Sequence, residues 1–378
     1  MYKKSICNFK MIRPVILCVT IFFLLAMPVS ALAADYYVKT PANGGDDGNA
    51  GTSWATAKAT IGAAMAATVF NEKVHVAAGT YNEKVAFPDL DAIQLLGGYP
   101  AAGEGTRAPW TNTIIIDGSG AGTTGAMVSV PYAADHRGYF GIVIDGFTIR
   151  NGTNNSNYGT GGIESYTLGV IIRNCIIEDN NAGSYGLAGG IYISCGHLDN
   201  GSPVIEKNII RNNNANVGPG GISFDGAGAK SSNYNAAMTN TLIYGNTGSV
   251  GIHVYYPGGV TITNCTIANN SVPGINIAGY SALESGQANI KNSIIWHPSG
   301  DDIYVDPSGG WLTGLTYSDV HDTGDTGTGV IHTDPAFVGG GDYHLTSSSG
   351  NCIDGGTASG APSTDLEGTS RPQPQRRL

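Results

Sequence analysis

The apolar residues of this chain recur in short rows and do not follow the face of long helices. Six rows of four residues end in isoleucine, at intervals of 28, 33, 33, 24 and 28 residues, and in four of them asparagine follows three residues later. The rows are 146–149, 174–177, 207–210, 240–243, 264–267 and 292–295, and the asparagines are Asn180, Asn213, Asn246 and Asn270. Self-similarity of this kind is the signature of a repeat architecture.

A second signature, Gly followed by Ile, falls between the rows. It occurs at Gly162-Ile163, Gly190-Ile191, Gly221-Ile222, Gly251-Ile252 and Gly274-Ile275, and Asp302-Ile303 takes the same place in the last repeat. Apolar and polar residues then alternate, which indicates short strands with one buried face, and no segment between them resembles a crossover helix. We therefore predict an all-β fold, a single-stranded parallel β-helix (solenoid) with stacked isoleucines inside and hydrogen-bonded asparagine ladders in its turns.

The ends of a solenoid expose apolar side chains and need caps. At the front, the sequence predicts a strand at 36–38 and a capping α-helix over about 54–67, with Thr52 or Ser53 as its N-cap. The helix face that would cover the first coil contains Ala57, Ile61, Ala64, Met65 and Thr68. We predict an N-terminal cap at 34–73, coils over 74–345 and a C-terminal cap or tail at 346–378.

The first 33 residues read as a signal peptide. A basic start precedes an apolar run that is too short to favour a membrane anchor, and Ala31-Leu32-Ala33 offers a cleavage site. The leader contains basic but no acidic residues, so its removal makes the net charge more negative than −10. We predict a secreted or cell-surface protein without a transmembrane segment in its mature chain, and the acidic charge argues against nucleic acid as a partner.

Four cysteines follow the leader, at positions 175, 195, 265 and 352. Cys175 and Cys265 occupy one column three rungs apart, about 14 Å, because neighbouring strands lie about 4.8 Å apart. A disulfide needs Cα atoms within about 7 Å. We predict two buried thiols there and leave the pairing of Cys195 with Cys352 open.

Two columns of side chains point outward after the Gly-Ile signature. The first contains Glu164, Tyr192, Ser223, His253, Asn276 and Tyr304, and the second contains Tyr166, Ser194, Asp225, Tyr255, Ala278 and Asp306. Sugars favour surfaces of this kind, because rings stack on their apolar faces while polar groups bond their hydroxyls. The predicted carbohydrate-binding residues are Glu164, Tyr166, Tyr192, Asp225, His253, Tyr255 and Tyr304. The alternative is an ordinary solvated sheet in which tyrosine favours the strand conformation.

Catalytic motifs are absent from the sequence, so whether the protein is an enzyme stays open. Glycosidases need two carboxylates about 5–9.5 Å apart, whereas the stacking predicts about 10 Å or more between Glu164 and Asp225. A uronate lyase needs a Lys or Arg as its base, with further cations around the substrate. Lys207 and Arg211 are the candidate bases, although opposite charges on adjacent rungs, such as Glu178 and Arg211, also predict cross-strand pairs.

A metal site has weak support. Asp46, Asp47 and Asn49 offer oxygen ligands of the kind calcium prefers, but a polar, Gly-rich loop entering a helix explains them equally well. We predict no cofactor, with calcium as the alternative.

Two segments resemble a known family. The stretch Gly45-Asp-Asp-Gly-Asn-Ala-Gly-Thr-Ser-Trp54 and the stretch Val74-His-Val-Ala-Ala-Gly-Thr-Tyr81 resemble the start of secreted bacterial, pectate-lyase-like right-handed β-helix proteins. The closing segment, Asn351-Cys-Ile-Asp-Gly-Gly356 followed by Asp365-Leu-Glu-Gly, is similar to that of surface β-helix proteins with a variable C-terminal anchor. The resemblance implies the fold, with polysaccharide lyases, glycosidases and adhesins as the activities of its members.

Taken together, these patterns favour an exported protein with a non-catalytic role in binding glycans or adhering to a cell surface. The alternative is a polysaccharide-degrading enzyme, for which a lyase fits better than a hydrolase.

Overall fold

The computed structural model of the protein describes residues 35–132, 140–167, 169–194, 202–226, 235–255, 258–279 and 285–371. The predicted signal peptide and Cys195 lie outside these residues, as does the end of the chain beyond Arg371. None of the described helices is both long and apolar enough to cross a membrane.

Parallel strands stack into three long sheets, S1, S2 and S3, which the chain visits in that order in each coil. S1 contains Tyr36–Val38, Lys73–Ala77, Gln94–Tyr99, Phe140–Asp145, Gly169–Arg173, Val204–Glu206, Asn235–Thr239, Gly258–Thr263, Gly286–Lys291 and Gly310–Thr316. S2 contains Gly79–Tyr81, Ile114–Asp117, Thr148–Arg150, Ile176–Glu178, Ile209–Arg211, Leu242–Tyr244, Thr266–Ala268, Ile294–Trp296 and Asp319–Val320. S3 contains Val85–Ala86, Val128–Val130, Ile163–Ser165, Ile191–Ser194, Ile222–Asp225, Ile252–Tyr255, Ile275–Ala278 and Ile303–Val305. A smaller sheet between S2 and S3 contains Thr153–Asn154, Asn181–Ala182 and Asn214–Ala215.

The isoleucine columns form the core of these coils, which confirms the predicted parallel β-helix. The six isoleucines that end the rows are fully buried and pair in register from one S2 strand to the next. The isoleucines of the Gly-Ile signature form a second buried column in S3. Burying one such side chain stabilises the fold by about 1.5–3 kcal/mol, so the repeated columns supply the driving force for coiling.

The predicted asparagine ladder is present in the turn after S2. The amide nitrogens of Asn180, Asn213 and Asn246 each donate to the amide oxygen of the next asparagine over 2.9 Å. The ladder ends where Asn270 donates to Nε2 of His297 over 3.4 Å. Because this nitrogen accepts, Nδ1 of His297 carries the proton and donates to Asp302 over 3.1 Å.

The front cap differs in part from the prediction. The α-helix is Ile61–Ala67 and Thr60 is its N-cap, so the predicted start near residue 54 is wrong. The 3-10 turn Trp54–Thr56 lies before it, and Lys58 makes a parallel bridge to Val38. The pairing with the first strand holds the chain extended up to Thr60, which outweighs the local helix propensity. The predicted apolar face is buried against the first coil.

Parallel pairing ends earlier than predicted. S2 ends at Val320, and the strands Phe337–Gly339 and Asp342–Leu345 form an antiparallel hairpin, so the predicted coil region 74–345 is too long. A 3-10 turn, Gly350–Cys352, follows the hairpin. Residues 357–371, which we name the C-terminal strap, then run back along the corner between S1 and S2.

The described cysteines are all free thiols, which confirms the prediction for Cys175 and Cys265. Burial raises the pKa of both thiols to about 12. The thiol of Cys352 donates to Asp319 over 2.6 Å.

Candidate functional site

The outward face of S3 contains the predicted columns in the predicted register. Glu164, Tyr192, Ser223, His253, Asn276 and Tyr304 are consecutive partners along the first column. In the second column Ser194, Asp225, Tyr255 and Ala278 are consecutive partners. The alternation after each Gly-Ile therefore places both sets of side chains on one surface, as period-2 strands require.

This surface is the floor of a groove whose wall comes from the turns that precede S3. Tyr158 and Tyr185 stand in successive turns and are 70% and 60% exposed. Their turns are joined by main-chain bonds, such as that from Tyr158 N to Tyr185 O over 3.1 Å. The groove has a volume of about 290 Å³. The residues that line it, which define the S3 groove, are Tyr158, Tyr185, Gly186, Leu187, Tyr192, Val217, Gly218, Pro219, Ser223, Asp225, Ser249, His253 and Tyr255.

Polar contacts fix the side chains of the floor. The hydroxyl of Tyr192 donates to Oδ2 of Asp225 over 2.8 Å. The rings of His253 and Tyr255 are stacked with centroids 5.3 Å apart. Tyr166 packs edge-on against Tyr192 at 5.9 Å. The floor therefore presents ordered rings around one carboxylate.

Burial and the neighbouring charges shift the ionisation of these groups. Burial raises the pKa of Tyr192, and the charge of Asp225 adds to the shift. Burial lowers the pKa of His253, although Asp225 opposes that shift, so the imidazole is neutral at neutral pH. Burial also raises the pKa of Glu164, which accepts hydrogen bonds from Tyr166 and Thr160.

Four of the seven predicted carbohydrate-binding residues line the groove together. These are Tyr192, Asp225, His253 and Tyr255. Glu164 and Tyr166 lie beside the groove, one strand before Tyr192. Tyr304 continues the column beyond Asn276 and is 42% exposed, outside the lining.

The two candidate bases lie elsewhere. Lys207 stands in the short turn between S1 and S2, where its Nζ donates to Thr364 of the strap over 2.9 Å. Arg211 is on S2, paired with Glu178 at 2.5 Å and bonded to the hydroxyl of Tyr244 at 2.9 Å. The cross-strand pair expected from the charges is therefore present, and neither residue lines the S3 groove.

The three candidate calcium ligands have internal partners. Asp47 accepts from the main chain of Ala59 and Thr60 at 2.8 and 2.9 Å, and from the hydroxyl of Thr60 at 2.9 Å. Asp46 accepts from Gly48 N, and the amide of Asn49 donates to Ala57 O. Within the described part of the chain, no group of three or more His, Cys, Asp or Glu residues is arranged to hold a metal ion. The hydrogen bonds of these three residues are better explained by stabilisation of the loop than by a metal site. Calcium binding, the alternative given above, stays a prediction.

The wall of the groove was not predicted from the sequence. Its signal is a dipeptide of one large residue and glycine before three of the Gly-Ile signatures: Tyr158-Gly159, Tyr185-Gly186 and Val217-Gly218. The spacing from this dipeptide to the signature varies, so an alignment on the isoleucines hides it. A separate alignment of the turns that precede the S3 strands would have revealed this dipeptide.

Residues 216–338 match the family described as right handed beta helix region, which agrees with the parallel sheets and the predicted fold. No curated protein matches the sequence significantly. Among solved structures, pectate lyase Pel9A is similar over 92% of this chain and 90% of its own, with 14% identity and a TM-score of 0.47. The pectin methylesterase from Aspergillus niger is similar over 81% of this chain and 88% of its own, with 16% identity and a TM-score of 0.35.

Proposed function

We propose that this protein is exported and binds glycan chains in the S3 groove without chemically altering them. The observation that carries the proposal is the groove itself. Tyrosine rings stand on its wall and on its floor, and a carboxylate and hydroxyls lie between them. This combination suits sugars, whose C–H faces pack on rings while their hydroxyls bond polar groups.

The separation of the carboxylates favours binding over hydrolysis. Glu164 and Asp225 are two strands apart in S3 and two residues apart along the strand direction. Strand spacing and rise then put their Cα atoms about 12 Å apart. Paired glycosidase carboxyl groups lie about 5–9.5 Å apart, so these two side chains would have to lean towards each other, whereas Glu164 accepts from Tyr166 and Thr160 and Asp225 accepts from Tyr192. The hydrogen bond from the Tyr192 hydroxyl also fixes the position of the Asp225 carboxylate in the floor.

The placement of the two candidate bases gives no support to a lyase mechanism at this site. Elimination from a uronate needs a Lys or Arg near the sugar to remove its proton and further cations to hold its carboxylate. Lys207 contacts the strap and Arg211 pairs with Glu178 on another sheet. The groove lined by aromatic rings is therefore better explained as a binding site than as the active site of a lyase.

Binding of soluble glycans to the protein from residue 34 onward tests the proposal. Affinity electrophoresis with a polysaccharide panel identifies a ligand, and calorimetry on its oligomers measures Kd. Tyr185→Ala and Tyr255→Ala should each weaken binding about ten-fold, which is about 1.4 kcal/mol and the size expected for one stacked ring. Trp311→Ala is the matched control, because Trp311 is a 57% exposed aromatic residue outside the groove.

Three results would contradict the proposal. The first is failure of every glycan to bind, and the second is an equal loss of affinity in the Trp311→Ala control. The third is the release of unsaturated uronates or new reducing ends, with or without calcium, which would make the protein an enzyme.

A further inference from the structure

The charge of the S3 groove is negative in the region that the structure describes. Asp225 lies at the floor, held by the hydroxyl of Tyr192, and no Lys or Arg is among the described lining residues. A second carboxylate, Glu164, lies beside the groove and is linked to it through Tyr166, which donates a hydrogen bond to Glu164 and packs edge-on against Tyr192 of the floor. An anionic sugar would therefore meet repulsion on entering.

The rings of the groove add to the attraction for a cation. The face of an aromatic ring carries negative partial charge, so a cation above it is stabilised, most strongly where water is displaced. Tyr158 and Tyr185 present exposed rings on the wall, and Tyr255 lines the floor, whereas Tyr192 is only 6% exposed and contributes mainly its hydrogen bond to Asp225. His253 between them adds no opposing charge at neutral pH, because burial keeps its imidazole neutral.

We propose that the S3 groove selects glycans that carry protonated amino groups, such as polymers of unacetylated amino sugars, over neutral and uronate glycans. This inference rests on the proposed glycan-binding function and names its ligand class. The ammonium group lies near Asp225, and the tyrosine rings pack on the sugar ring. Because charge attraction needs no vacant hydrogen-bonding position, Asp225 acts on the cation together with its contact to Tyr192.

The test compares three sets of oligomers of equal length: glucosamine, N-acetylglucosamine and galacturonate. Calorimetry at near-neutral pH and low salt, where His253 is uncharged, should give a Kd about ten-fold lower for glucosamine than for N-acetylglucosamine oligomers, a difference of about 1.4 kcal/mol. High salt should reduce this preference, since exposed charges are screened. Galacturonate oligomers should bind most weakly.

Two variants assign the preference to the carboxylate. Asp225→Asn keeps an acceptor for Tyr192 and should bring the Kd values for glucosamine and N-acetylglucosamine oligomers within about two-fold of each other. Asp306→Asn removes a carboxylate from a nearby S3 coil outside the groove lining and should leave the preference unchanged.

The outcomes separate this inference from the proposed function. Equal binding of acetylated and unacetylated oligomers, or tighter binding of galacturonate, overturns the charge selectivity but leaves glycan binding intact. A loss of affinity for both amino-sugar oligomers in Asp225→Asn shows a structural role for Asp225 and also overturns it. No binding of any oligomer contradicts the proposed function itself.

Discussion

The corner between S1 and S2 and the face of S3 belong to the same coils but are built in opposite ways. From Asp145 to Asp319, two residues separate each S1 strand from the following S2 strand. The turns that lead into S3 vary in length from coil to coil. A uniform corner offers a flat edge on which the strap lies, whereas the longer turns rise beside S3 and leave a groove. Turn length, with the same core beneath, therefore decides which side is covered and which is open.

The uniform corner depends on a left-handed residue in each turn. Asn174, Asn240, Asn264 and Asn292 have φ between 49° and 55° there, and Lys207 has φ 54° in the same position. Asparagine adopts this conformation more readily than most residues. Its amide also remains available to the strap, as in the two 2.8 Å bonds between Asn292 and Thr357.

The largest expected effect comes from breaking the ladder that supports the groove wall. Asn213→Leu should lower the free energy of unfolding by about 3–5 kcal/mol, because it leaves Asn180 N, Asn180 Nδ2 and Ile177 O without their buried partner. Urea unfolding measures this loss, and ligand binding in the groove should weaken with it.

The neighbouring position provides the control for that prediction. The side chain of Asn214 is exposed, and its hydrogen bonds with Asn181 and Thr247 lie at the surface. Asn214→Leu should cost less than about 1 kcal/mol. Equal losses at the two positions would show that the ladder contributes nothing beyond a surface contact.

A smaller effect is expected from releasing the strap at the closed corner. Asn292→Gly keeps the left-handed backbone but removes both bonds to Thr357, so hydrogen exchange in residues 357–371 should accelerate about ten-fold, or about 1.4 kcal/mol. Asn264→Gly is the matched control, with φ 55° one coil earlier. Glycan affinity should be the same in both variants. A change of affinity in Asn292→Gly would mean that the corner and the groove are not independent.

The smallest effects concern two histidines, one in each region, with opposite pH dependence. Burial lowers the pKa of His253 in the groove, so the folded protein binds fewer protons than the unfolded chain and loses stability as the pH falls below 6.5. Asp342 and Glu367 raise the pKa of His344 beside the strap. Its contribution is present below 6.5 and is lost as the pH rises through the folded pKa.

Unfolding midpoints measured between about pH 5 and 8 test both signs. Relative to the unsubstituted protein, His253→Gln should gain stability as the pH falls, and His344→Gln should lose it. Parallel curves for the two variants would contradict the assigned environments.

The sequence predicted the repeated parts of the molecule well. The columns of Ile177 and Ile191, the ladder through Asn213 and the register of Tyr192 with His253 all follow from spacing, because each residue meets its equivalent in the next coil. The helix start near residue 54 and the extent of the coils were wrong, since pairing with Val38 and the hairpin at the end override local pattern.

What the sequence by itself determined is therefore the parallel β-helix and the surface to which each outward column belongs, because period-2 strands and stacked identical residues leave one consistent arrangement. The groove was decided only by the tertiary structure. Tyr185 lies in a turn of variable length, and its place in the groove wall depends on how the neighbouring turns stack. The strap likewise could not be predicted from the sequence, because the contact of Thr364 with Lys207 joins residues far apart in the chain. Contacts that no repeat enforces arise from the packed coils and not from local pattern.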